Sequence, residues 1–170
     1  MTDNRIQPKV LDMPRLRRPA NPDEVFGKST EDENENEIVL ELDEAFLVIL
    51  LLANAADGEI APEERQVLAA TLERMYLFQS LSMTEMEDLF ERATDIFHQY
   101  SLRTIFAAAK EALPIELRET AFAAATHLVF SDGAIAEEEE DFLGQLWGAL
   151  EIPDETAQKI IEVMEILHRG

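Results

Sequence analysis

Two short stretches place oxygen ligands at matched spacing. "NAADGEIAPEER" (residues 54–65) and "VFSDGAIAEEEE" (129–140) each hold Asp-Gly, an Ile two positions after the Gly, and two Glu six and seven positions after the Asp. Each turn thus sets an Asp seven residues ahead of a Glu, Asp57 with Glu64 and Asp132 with Glu139. An Asp at one helix end and a Glu at the start of the next can converge across a tight turn. Carboxylate oxygens suit a hard divalent ion, Ca²⁺ or Mg²⁺ first, with Mn²⁺ and Zn²⁺ after them.

Neither turn is an EF-hand. If Gly58 took the loop's invariant glycine position, loop positions 1 and 3 would be Ala53 and Ala55, and in the second copy Leu128 and Phe130. None of these carries a ligand oxygen. A purely structural reading stands beside the metal reading. Gly58 and Gly133 would close one helix in the left-handed conformation, Ile60 and Ile135 would pin the turn, and the Glu residues would meet the positive end of the next helix. That reading leaves unexplained an Asp at each helix C-terminus, where the dipole disfavours an anion. Both readings stay open on spacing alone.

Nitrogen ligands are scarce, since the chain has three His and no Cys. His127 precedes Asp132 by five residues, about 140° around an ideal helix, so the two share no face. It occupies the position of Leu52 in the other copy, which predicts a core or partly buried histidine. His98 and His168 sit near helix ends and are expected on the surface.

The elements that position these residues are helical. From residue 38 onward Ala, Leu and Glu dominate and no strand-like alternation competes. A first helix is expected over about 38–56, apolar on almost every face from Phe46 to Leu52 and hence buried. The second starts at Pro62 and carries Val67, Leu68, Leu72 and Met75 at helical spacing. Ser82 with Glu85 forms a capping box for the third, which runs to about Tyr100. A fourth follows Ser101 to about Ala112, and a fifth runs from Pro114 to Ser131. The sixth covers about 136–150 with Phe142, Leu146, Trp147 and Leu150 inward, and the last runs from Pro153 to near His168.

A shift of 75 residues aligns Asp57, Gly58, Ile60, Glu63 and Glu64 with Asp132, Gly133, Ile135, Glu138 and Glu139. It also sets Val67 on Phe142 and Leu68 on Leu143. The expected fold is thus all-α: a compact bundle of about seven helices, built from two similar three-helix units with a linking helix and a pseudo-two-fold relation. Residues 1–37 hold four of the seven prolines and the tract "STEDENENE". They are expected to form a flexible tail ahead of a helical domain over 38–170.

The chain has 170 residues and a formal net charge of −22, with residues 1–30 at +2 and the remainder at −24. Such a body repels phosphate backbones and attracts cations and basic protein surfaces. The longest apolar run, "AFLVILLLA", has nine residues, about half of a membrane span. No secretory leader is visible, which suggests a soluble, cytoplasmic protein. No nucleophile elbow, phosphate-binding glycine loop or H-E-x-x-H helix is present, so an enzyme is not expected.

"ANAADGEIAPEERQVL" and "HLVFSDGAIAEEEEDFL" together resemble the TerB family of tellurite-resistance proteins, which is related to the N-terminal region of DjlA-type membrane co-chaperones. The resemblance covers about residues 40–168 and implies a seven-helix bundle with a divalent-cation site made from the two acidic turns, its candidate ligands being Asp57 with Glu63 or Glu64 and Asp132 with Glu138 or Glu139. It also implies a stress-response role near the inner face of the membrane, with protein partners there. Much of the family has Lys after the last Glu of the motif, where this chain has Arg65 in one copy and Glu140 in the other. Two functions of different class follow: a non-enzymatic metal-binding module, or an acidic helical interaction domain whose turns are corners only.

Overall fold

The buried centre of the protein begins with a helix that has no polar stripe. In the computed structural model, which describes residues 38–54, 60–131 and 137–168, α1 spans Leu42–Asn54. Every residue from Ala45 to Leu52 is buried. Burying a large aliphatic or aromatic side chain stabilises by about 1.5–3 kcal/mol, and α1 buries seven in succession. That gain requires neighbours on all sides. α1 packs against α4 (Leu102–Ala112) and α5 (Ile115–Ser131) most extensively, and also against α3 (Met83–Gln99) and α6 (Glu137–Ala149).

α5 is the second hub, with α6 and α7 (Asp154–Leu167) packed on it. Ala121, Ala124 and Ala125 are buried on α5, and such small residues let a neighbouring backbone come close. Thr126 is fully buried, and its hydroxyl donates to the Phe122 carbonyl at 2.7 Å, so the core carries no unmet hydroxyl there.

Local signals explain most helix boundaries. Ser82 and Glu85 form the expected capping box: the Glu85 N–H donates to Ser82 Oγ (3.3 Å), and the Ser82 N–H donates to Glu85 Oε2 (2.8 Å). Ser101 caps α4 by accepting from the Thr104 N–H at 3.2 Å. α6 ends in a Schellman turn, with the Ile152 N–H donating to the Trp147 carbonyl and the Glu151 N–H to the Gly148 carbonyl. Glu151 occupies the left-handed position at φ 59°, which glycine usually takes. Its carboxylate reaches Lys110 Nζ (2.9 Å) and Arg118 Nη1 (3.4 Å), tying this turn to α4 and α5.

α2 (Pro62–Leu72) departs from expectation. The pattern predicts a helix through Met75, but successive three-residue turns take over: the N–H groups of Met75, Phe78 and Leu81 donate to the carbonyls of Leu72, Met75 and Phe78. This tightening drives Phe78 into the core, where its ring meets Phe46 edge-on with centroids 5.5 Å apart. Val67 is 55% exposed, not part of the core face. Among the described residues there are seven helices and no strand, and no helix is long and apolar enough to cross a membrane. The expected tail, residues 1–37, lies outside the described residues.

Candidate metal centre

Each acidic turn joins a buried helix to an acidic helix start. α1 leads into the first turn with Ala53 half-buried against the core, and Ile60 packs on the same core beyond it. α5 leads into the second with Leu128 and Phe130 buried. Of the positions that an EF-hand would need for ligands, Leu128 and Phe130 are thus in the core and Ala53 packs against it.

The first turn's glutamates differ in what they do. Glu64 Oε2 accepts from the backbone N–H of Ala61 at 3.1 Å, reaching back over the start of its own helix. Ala61 has no side-chain oxygen to complete the box, so Glu64 alone meets that donor. Glu63, one residue earlier, is exposed. In the second turn Glu139 is half-buried at the start of α6. Asp57 and Asp132 lie outside the described residues, as does the side chain of Glu138. Among the described residues, no three His, Asp or Glu side chains cluster closely enough to hold a metal ion.

Arg65 shows why the residue after the second Glu matters. Its guanidinium lies 4.8 Å from the centre of the Phe90 ring and donates to the Glu87 carbonyl at 3.3 Å. It therefore fastens α2 to α3 by a cation–π contact. Glu140, its counterpart, has the opposite charge and cannot act in that way.

The family model described as "Tellurite resistance protein TerB" matches residues 43–162, well over half of the chain. The chain belongs to the TerB family. The match spans α1 and reaches into α7, so both acidic turns fall within the TerB domain. No curated protein and no solved structure matches the chain significantly.

The histidines behave differently from one another. His98 is exposed as expected. His127 is half-buried, and burial holds its imidazole below the usual range, with the nearby His168 and Arg74 adding to the effect. His168, expected at the surface, is instead half-buried against His127, with Nδ1 of His127 3.0 Å from Nε2 of His168. The dipole rule places a histidine at a helix end but does not say which neighbouring helix it will meet. Only the packing of α7 on α5 brings these two together.

Proposed function

We propose that this TerB domain is a non-enzymatic module that binds a divalent cation through its two acidic turns, in a tellurite-resistance or wider stress-response system. The observation that carries the reading is the duplicated Asp-Gly-x-Ile-x-x-Glu-Glu turn. Its all-oxygen donor set fits Ca²⁺ or Mg²⁺ better than softer ions, with Mn²⁺ and Zn²⁺ less well served. The cation would neutralise carboxylates that otherwise repel one another.

Glu64's engagement with the Ala61 N–H supports Glu63 as the more available ligand beside Asp57. The repeat then favours Glu138 beside Asp132, with Glu64 and Glu139 supporting their helix starts. Calorimetric titration with Ca²⁺, Mg²⁺, Mn²⁺ and Zn²⁺ tests this. Asp57→Asn, Asp132→Asn and Glu63→Gln should each remove most metal-induced stabilisation while leaving the metal-free protein as stable or more so. Glu64→Gln should weaken the helix start equally with and without metal. Wild-type protein giving no heat and no melting shift with any of the four ions would overturn the reading.

A second reading has an observation of its own. Val163, Ile166 and Leu167 form an exposed apolar strip on α7, with Glu162 exposed beside it. Together with the acidic body, this suits an interaction domain for a basic, amphipathic protein partner at the cytoplasmic face of the membrane. Under it the turns are corners, and Asp57→Asn would change stability by the same small amount with and without metal.

A further inference from the structure

His127 and His168 are 41 residues apart in sequence and meet where the C-terminal end of α7 lies on α5. Their facing nitrogens are 3.0 Å apart, with ring centroids at 5.0 Å and planes tilted by 44°. Phe130 packs near the His168 ring, at 6.2 Å between centroids. Two ring nitrogens this close either share a proton or share a metal ion.

The separation is that of a hydrogen bond and is also compatible with a shared metal ion. Metal–nitrogen bonds of about 2.0–2.1 Å at a right angle set neighbouring nitrogens about 2.9 Å apart, whereas a tetrahedral angle sets them about 3.3 Å apart. The observed 3.0 Å lies close to the right-angled value. We propose that His127 Nδ1 and His168 Nε2 form a two-imidazole site for a divalent transition metal of tetragonal preference, Cu²⁺ first and Ni²⁺ second, which clasps the end of α7 to α5.

The donor chemistry favours those ions, since imidazole suits them and Cu²⁺ stands highest in the affinity order of the divalent series. Burial keeps His127 below the usual imidazole range, so its lone pair is available at neutral pH. Arg74 opposes a cation here, although the protein's overall charge of −22 favours one at longer range. Among the described residues no third His, Asp or Glu joins the pair, so water supplies the remaining positions. Nitrogen donors set this site apart from the oxygen-lined turns.

The test uses the full chain at pH 7 with excess Mg²⁺ present, so that oxygen sites are occupied. Cu²⁺ is titrated against glycine as competitor, and the bound ion is read by electron paramagnetic resonance with protein in excess. The expected result is one Cu²⁺ per chain with hyperfine structure from two ring nitrogens. His127→Gln and His168→Gln should each lower affinity at least about tenfold and remove the two-nitrogen pattern, while His98→Gln should leave both unchanged. Helical circular dichroism checks the fold, and His168→Gln, just beyond the end of α7, carries the test if His127→Gln unfolds. Wild-type affinity in both variants, or no uptake against glycine, would overturn the site and leave the pair as a hydrogen bond. Either result leaves the acidic turns untouched, because Ca²⁺ and Mg²⁺ titrations report on those.

Discussion

α2 and α6 follow the same acidic motif, yet α2 buries only Leu68 and Leu72, whereas α6 and its exit bury Leu143, Leu146, Trp147 and Leu150. Under the 75-residue shift Leu72 corresponds to Trp147 and Met75 to Leu150. Where the second copy inserts an indole and continues as helix, the first stops, turns, and sends Phe78 to the core instead. α2 is then held by two buried leucines and by Arg65 on Phe90 at its surface, and α6 by a longer buried row that includes Trp147. A repeated turn therefore does not ensure repeated anchorage, and the second turn rests on the firmer helix.

The largest expected effect is at the anchor of α6. Trp147→Ala removes a buried indole and the bond from its Nε1–H to the Ile152 carbonyl (3.1 Å). It should cost about 3–5 kcal/mol in denaturant unfolding. A loss below 1 kcal/mol would mean that α6 is not held from within, and the contrast with α2 would collapse.

The helix exits provide a sharper contrast. Glu151 is left-handed, whereas Glu73 after α2 is right-handed at φ −56°. Glu151→Gly should be about 1 kcal/mol more stable than Glu151→Ala, because both lose the ion pairs and only Ala keeps the Cβ strain. At Glu73 the order should reverse, with Gly less stable than Ala by about 0.5–1 kcal/mol. Thermal melts of the four variants decide it, and the same order at both sites would erase the distinction.

The turns after α2 lead into the Ser82 cap, so Ser82→Ala should cost about 1 kcal/mol at neutral pH. Hydrogen bonds from the Ser82 hydroxyl and N–H hold the Glu85 carboxyl below its usual range. A carboxylate lowered in the folded state contributes stability above its unfolded value and loses it as pH falls through the folded one. The gap between wild type and Ser82→Ala should therefore narrow on acidification below the usual carboxylate range. A gap that stays constant in melts at descending pH would show that Glu85 takes no part in the cap.

The smallest effect is at Val67. Val67→Thr should alter stability by less than about 0.5 kcal/mol, since the side chain is largely exposed. Hydrogen exchange should find α2 amides opening before those of α6. Equal protection would break the comparison from the other side.

Much of this fold was legible in the residues. Ser82, Ser101, Pro62 and Pro153 mark helix starts through local chemistry, and the unbroken apolar run of α1 announces burial on all sides. The end of α2 was not legible, because Met75 continues the helical period. What stops the helix is Phe78 meeting Phe46, a contact across 32 positions. The candidate ligands were visible as a motif, but Glu64's commitment to its own helix start depends on a backbone donor that spacing does not reveal. The histidine pair was invisible for the same reason, since it depends on how α7 lies on α5.

The absence of a polar face on α1 also bears on synthesis. Its main partners, α4 and α5, are encoded up to 77 residues downstream of its last residue, Asn54. At about 5–20 residues per second, translation leaves α1 without that cover for about 4–15 seconds. For that interval the nascent chain presents seven large apolar side chains in a row, a binding segment for a holdase chaperone. Folding of this domain is then timed by the emergence of α5, and slowing translation between α1 and α5 would lengthen the period open to aggregation.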